Sequence, residues 1–502
     1  MTDSKRIPFI YRFLSSVFLL SMILNTAACR ADEDKIALFP LDHYDQTIST
    51  WINPAEDNYD KPLFSSDIQQ KRFDTLIKHY VGAASPWSPE YVNHILHRAS
   101  SDTIYAMEVD ILADFTNVNK PDDQIGYGEN FHPHTLDWIN QIKENSHLAQ
   151  FNDINYQANN RAIAVDNLLL RALPTNDPSF YSHRLAGQGY PFDNLQMSAL
   201  WAGTPVYIIG ETLDHAWSLV ITPDCIAWTK TSGLARTDST FISTWQSAAK
   251  KQLAAITTTE TPILDKNHIW RFSAYIGSVF PIVDSGSAFH ILIPIMDINR
   301  KAVITQAEVS NQQAVIMPLA ATPHHFADVM NTLIGRPYGW GNLNFYNDCS
   351  AELKSLLTPF GIWLPRHSSS QVKAGKMVDV SYLPPAKRVE YLLENGRPFL
   401  TIIYIGGHVM LYTGKFSNPN TFDHSPMAMT YQNLWGIRPS SNDKRFIIGK
   451  AAFFPLLLSF PENRNLTSQA SKDEFQVGYL DEVQNFLLFD QIIDLKSLMY
   501  PS

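Results

Sequence analysis

Near Ala162 the sequence changes its period, and that change divides the chain. Upstream, apolar residues recur at helical spacing; downstream they alternate in short runs broken by turn residues. Thr204–Glu211, a turn at Asp214-His215 and Ala216–Thr222 form a hairpin pattern, and Ile226–Lys230 adds a third strand. A second unit repeats the plan with Ser278–Asp284, a Ser-Gly turn, Ala288–Ile295 and a short strand at Ala302–Ile304. Two consecutive strand-rich units of about 70–80 residues are expected to close as small β-barrels that present their loops for binding. A fold containing them is α+β and multidomain, as 502 residues also imply.

Before the barrels the pattern is helical. Phe73, Leu76, Ile77 and Tyr80 share one face of a helix over residues 65–81. Ser88-Pro89-Glu90 reads as an N-cap, a first-turn proline and an acidic first turn. The stretch ahead of about Asp60 reads as an irregular, acidic linker or a loose arm. His132 and His134 lack further ligands at metal spacing, so no metal site is read there. After the barrels, Thr322-Pro323 starts a helix carrying Phe326, Val329, Met330 and Leu333, which Gly335 ends.

The first residues read as a leader. Lys5, Arg6 and Arg12 precede an apolar run from Phe13 to Leu24, then small residues and Ala27-Ala28-Cys29. Asn25-Thr26-Ala27-Ala28-Cys29 resembles a bacterial lipoprotein box, with Thr26 where that box prefers an aliphatic residue. Two outcomes stay open: lipidation at Cys29, giving membrane attachment as an outer-membrane lipoprotein, or cleavage near Ala31, giving a soluble periplasmic protein. Both are exported. A net charge of −10 with no long basic run argues against nucleic-acid binding. Three cysteines, Cys29, Cys225 and Cys349, are too few for a disulfide framework. Cys225 sits in an apolar strand-like run and reads as a small buried hydrophobe.

Cys349 differs. It follows Asp348 at the start of a helix that carries Leu353, Leu356 and Leu357, directly after the aromatic, glycine-rich run Tyr338-Gly339-Trp340-Gly341. With Asn347 or Asp348 as cap, the sulfur would lie in the first turn, where the helix end favours a thiolate. His408 starts a strand after Gly406-Gly407 and is a candidate base. A base needs a third group to fix its tautomer. Gln432 is the choice, on the strand before Trp435-Gly436, and His424 in a turn-like stretch is its competitor. From these residues alone, a catalytic cysteine and a structural one both remain open.

Four segments in order, Tyr338-Gly339-Trp340-Gly341 with Asp348-Cys349-Ser350, then Pro365–Gln371, Gly407–Tyr412 and Tyr431–Gly436, resemble the NlpC-type cell-wall peptidases, which are papain-like. Arg171–Thr175, the stretch around Tyr190–Asp193, and Gly203–Pro205 resemble the first bacterial SH3 domain of the multidomain members. The resemblance implies a signal peptide at 1–31, a mainly helical stabilising domain at 32–155, SH3-like barrels at 156–245 and 246–320, a papain-like peptidase domain at 321–465 and a C-terminal tail with an amphipathic helix at 466–502. It implies hydrolysis of the γ-D-glutamyl–diamino-acid bond in peptidoglycan stem peptides of the L-Ala-γ-D-Glu-meso-diaminopimelate type, without cofactor or metal. Cys349 would be the nucleophile, His408 the base, Gln432 the third polar residue and Tyr338 an oxyanion donor. Asp348, Ser350 and Ser368 would line the substrate end, with the Asp348 carboxylate meeting a free substrate ammonium. Trp340 and Trp435 are read as packing. The chain departs from some relatives at Leu200–Val206, where no acidic residue is present to read that amine.

Two other classes fit parts of the pattern. One is a peptidoglycan-binding adaptor with an inactive peptidase domain. The other is a papain-like amidase or acyltransferase using the same dyad.

Overall fold

A computed structural model describes residues 35–97, 103–417 and 426–482. The leader with Cys29, the competitor His424 and the apolar run from Phe486 to Ile493 lie outside the described residues.

The helical region forms as its caps dictate. Ser65, Ser88, Thr103 and Thr135 each accept a hydrogen bond from a backbone N–H three residues on, starting helices at Ser66–Tyr80, Pro89–Leu96, Ile104–Asp114 and Leu136–Asn145. The second helix buries Tyr91, Val92, Ile95 and Leu96 against the first β unit. Trp87 fixes that junction by donating its indole N–H to the Ala162 carbonyl at 2.8 Å.

The first β unit is a seven-stranded antiparallel sheet. Its order is Gln196–Leu200, Leu168–Arg171, Ile226–Lys230, Trp217–Ile221, Pro205–Glu211, Arg161–Ala164 and Leu234–Arg236. Trp228 and Tyr207 fill its core. The second unit pairs Ala302–Ser310, Ala288–Met296, Val279–Ser285, Leu253–Ile256 and Ala314–Ile316, beside a hairpin of Thr261–Leu264 and Trp270–Ala274. An unexpected helix, Ser239–Lys251, is capped by Asp238 and packs Phe241, Ile242, Trp245 and Ala249 against Leu253, Ala255 and Leu292. The same helix also packs against Leu76, Trp87 and Ile163, so it joins the helical region and both β units.

The last domain places the helix Cys349–Leu357 against a seven-stranded sheet. Leu353, Leu356 and Leu357 are fully buried in a core shared with Val409, Leu411 and Tyr431. The sheet order is Ile36–Leu38, Arg445–Leu456, Pro426–Ile437, Val409–Ser417, Thr401–Tyr404, Gln476–Tyr479 and Lys376–Asp379. All its pairs are antiparallel except the first, where Ile36–Leu38 runs parallel to Arg445–Ile447. This corrects the reading of the early stretch as a linker. Phe39 and Tyr44 pack edge-on to Phe454, and the Gln46 side chain bonds both ways with the Phe453 backbone. The anchor is a few aromatic residues and one amide, too short a signal for any periodicity to register. Among the described residues, no helix is long and apolar enough to cross a membrane.

Candidate active site

Cys349, His408 and Tyr338 line one cavity of about 270 Å³. The local sequence explains each placement. Asp348 caps the helix by accepting from the Ala351 N–H at 2.9 Å, which puts Cys349 in the first turn. Gly406 and Gly407 both have positive φ, as a two-residue hairpin turn requires, and Ile405 and His408 close it. The turn sets His408 at the head of Val409–Ser417.

Gln432 is fully buried and its Oε1 lies 2.7 Å from His408 Nε2. Which end of the amide faces the ring is fixed by neighbours. Gln432 Nε2 donates to Thr430 Oγ1 at 2.8 Å, and Thr430 Oγ1 itself donates to the Phe454 carbonyl. Gln469 Nε2 donates to the same Gln432 oxygen at 2.9 Å. An acceptor at Gln432 makes His408 Nε2 the protonated nitrogen and leaves the Nδ1 lone pair for a proton from the thiol. Gln469 gave no sequence signal; it comes from a short turn, Gln469–Ser471, at a distance in sequence that no local pattern spans.

Burial works against charge here. It pushes the Cys349 thiol up to about 12, with the Asp348 carboxylate adding to the rise; the Val409 and Ser350 N–H groups and Arg366 oppose it. Burial likewise lowers His408 to about 4, partly offset by the Gln432 hydrogen bond. The helix end alone therefore does not leave a standing thiolate, as the sequence suggested. Desolvation favours the neutral form of both groups. Tyr338 is held well above the ordinary tyrosine range by burial and by Cys349 and Asp348, so its hydroxyl stays protonated as a donor.

Asp348, Ser350 and Ser368 are buried and are not part of the wall of the Cys349 cavity. Arg366 is the reason for the first two. Its Nη2 and Nη1 meet the two Asp348 oxygens at 2.5 and 3.1 Å, and Nη1 also donates to Ser350 Oγ at 2.6 Å. With Ser350 Oγ, Ala351 N–H and Gly341 N–H, the Asp348 carboxylate accepts five hydrogen bonds. That saturates its lone pairs, and no acceptor is left for a substrate ammonium. The assignment of Asp348 as the amine reader is corrected accordingly. Ser368 heads the short helix Ser368–Gln371, and its buried hydroxyl has no hydrogen-bond partner among the described residues. Glu352, which sequence reading passed over, is fully buried and ties the helix to the sheet: it accepts from Tyr431 Oη, and from Asn347 Nδ2 at 2.9 Å.

The first β unit packs against the segments that hold the site. Gln196 Nε2 donates to the Gly341 carbonyl at 2.8 Å, and a Cβ at Gly341 would lie 2.5 Å from the Gln196 oxygen. The glycine-rich run is thus the joint between domains, covering the edge strand Gln196–Leu200. Arg366 Nε donates to Ser198 Oγ at 2.9 Å, and Lys354 Nζ lies 2.6 Å from the Asp224 carboxylate. Phe192 stands edge-on to both Trp340 and Trp435, with centroids 5.2 and 5.4 Å away. The two tryptophans pack, as expected, and what they pack against is a loop of another domain.

Comparison with known proteins agrees with this anatomy. Residues 178–230 match the SH3 domain model of SH3b1 type, and residues 238–286 match the SH3 domain of SH3b2 type. The chain is similar to an NlpC/P60 endopeptidase from Photobacterium damselae subsp. piscicida, at 27% identity and a TM-score of 0.75, over 88% of this chain and 98% of that one. It is also similar to the γ-D-glutamyl-L-lysine dipeptidyl-peptidase of Bacillus subtilis (strain 168), at 27% identity over 110 residues. That match spans 21% of this chain and 37% of the relative's length. An NlpC/P60 family protein from Bacillus cereus ATCC 10987 aligns at 13% identity and a TM-score of 0.39, over 61% of this chain and 98% of that one.

Proposed function

From its membership of the NlpC/P60 endopeptidase family, in the form that carries two bacterial SH3 domains, we propose that the chain hydrolyses the γ-D-glutamyl–diamino-acid amide of peptidoglycan stem peptides. The observation that carries this is the 2.7 Å contact of His408 Nε2 with Gln432 at the cavity that also holds Cys349. It leaves an imidazole lone pair as general base beside a buried thiol.

Cys349 Sγ attacks the amide carbonyl as its proton moves to His408 Nδ1. The oxyanion that forms meets the Tyr338 hydroxyl and the N–H groups at the helix start; one such donor is worth ~10²–10³ in rate. The C–N bond then breaks, His408 returns the proton to the leaving amine, and a thioester remains on Cys349. Water, deprotonated by His408, attacks the thioester and releases the γ-glutamyl acid and the thiol.

Phe192 of the first SH3 domain backs Trp435, which lines the cavity, and a site narrowed in this way favours short peptides with an open N-terminus over stems still joined to glycan. The five hydrogen bonds already accepted by Asp348 argue against it as the amine reader. Peptides of this kind derive from a wall built outside the cytoplasmic membrane, which fits action after export by way of the leader at residues 1–31, with Cys29 deciding whether the protein stays membrane-attached.

The test is mass spectrometry of the mature protein with L-Ala-γ-D-Glu-meso-diaminopimelate, and with the same stem attached to muramic acid. Release of diaminopimelate from the free peptide alone is expected, and Cys349→Ala should abolish it while binding survives. Cleavage of both substrates would retain the peptidase and remove the gate. Turnover by Cys349→Ala would overturn the mechanism.

A further inference from the structure

The Cys349 cavity has a charge that the reaction itself does not use. Arg438, Arg445 and Lys472 line it together with His408 and Gln469. None of the three is in an ion pair among the described residues, in a chain whose net charge is −10. Asp473, next in sequence to Lys472, acts on it without forming an ion pair, and Glu474 lies by the Gly406 turn. Cations crowded without counterions repel one another. Burial lowers both Lys472 and Arg445, and Arg438 lowers both further.

Their placement is structural. Arg438 follows the strand that carries Gln432, Arg445 opens the neighbouring strand, and Lys472 follows the turn that carries Gln469. The same three segments therefore orient the base and present the cations. Arg445 is held further: its Nη1 donates to the Lys444 carbonyl at 2.9 Å, and its guanidinium passes Gly187 of the first SH3 domain. A Cβ at Gly187 would come within 2.6 Å of Arg445 Nε, so a glycine is needed there.

The direction follows from the chemistry. His408 delivers the proton to the leaving amine, so the departing residue lies on the imidazole side of the sulfur. This is the side where Gln469 and Lys472 stand.

We propose that Arg438, Arg445 and Lys472 form a subsite for the side-chain carboxylate of the departing diamino acid, so that the enzyme selects diaminopimelate over lysine. Lysine ends in a methylene-ammonium at that point; diaminopimelate carries a carboxylate on the same carbon. Arginine offers this group paired N–H donors, and lysine a point charge. This rests on the peptidase reading above.

The experiment compares L-Ala-γ-D-Glu-meso-diaminopimelate with L-Ala-γ-D-Glu-L-Lys in wild type, Arg445→Gln, Lys472→Gln and Arg445→Lys. Turnover is read as kcat/KM. Binding to the same proteins carrying Cys349→Ala is read by calorimetry, so the subsite is measured even if no peptide is cut. The diaminopimelate peptide should be favoured by about tenfold or more, the scale of one charged hydrogen bond. Arg445→Gln and Lys472→Gln should remove that preference, raising KM for the diaminopimelate peptide more than for the lysine peptide; Arg445→Lys should restore part of it. Equal binding of both peptides to the parent would overturn the subsite. So would equal losses for both peptides in the variants, since the cations would then be reading the glutamate carboxylate that both share. Binding preference without any cleavage would keep the subsite and discard the peptidase.

Discussion

Gln432 meets His408 Nε2 with its oxygen, at 2.7 Å, and Thr430 prevents the amide from turning the other way. Replacing Gln432 with alanine removes the acceptor that fixes the tautomer. A loss in kcat on the order of 10²-fold is expected, the usual scale for a general base. Gln432→Glu puts a carboxylate beside the ring, which favours imidazolium and raises the His408 pKa from about 4. The acidic limb of the kcat/KM profile should move to higher pH. An unmoved limb would mean that another group governs it.

Asp348→Asn leaves the Arg366 guanidinium buried without its partner. Breaking a buried pair on one side costs about 3–5 kcal/mol, and denaturant unfolding should report it. The ratio of activity on free and N-acetylated tripeptide should stay the same. A ratio that collapses would return the amine to Asp348.

Phe192→Ala takes away the wedge between Trp340 and Trp435. The edge-on contacts are worth roughly 0.5–1.5 kcal/mol each, so the protein should fold with slightly lower stability. Activity on muramoyl-linked stems should rise relative to the free tripeptide. No change in that ratio would show that the loop does not select substrates.

Glu108 is fully buried, accepts from the Trp228 indole at 2.9 Å, and is raised by burial from the ordinary range to about 8. The sign is that of a group protonated in the folded state and ionised in the unfolded one. Its contribution is full below about 4.5 and is lost as pH rises toward 8. Glu108→Gln cannot ionise. Its melting temperature relative to the parent should increase from pH 5 to pH 8, on a scale of ~1.4 kcal/mol per pH unit at most.

What the sequence disclosed follows from how local each signal is. The Asp348 cap, the Gly406-Gly407 turn and the helix Pro323–Leu333 are each written within a few residues, and each forms as read. Ser239–Lys251 was missed because serine and threonine dilute its apolar face, although Asp238 stands ready as its cap. Gln469 and Arg366 act through partners far along the chain, where spacing carries no information. Asp348 was misassigned because a carboxylate in a cleft motif looks free until its counter-ion is located. The helix end that favours a thiolate at Cys349 can be read from sequence, whereas the burial that opposes it cannot.

The parallel pairing of Ile36–Leu38 with Arg445–Ile447 makes the order of synthesis matter. Both SH3 units can close on contacts between neighbouring segments while the ribosome is still extending the chain. The seven-stranded sheet of the last domain cannot, because its outer strand waits for a partner made some four hundred residues later, and pairings that distant form slowly. That domain is therefore the last part of the molecule to be completed, and a prematurely ended chain would hold two folded SH3 units without it.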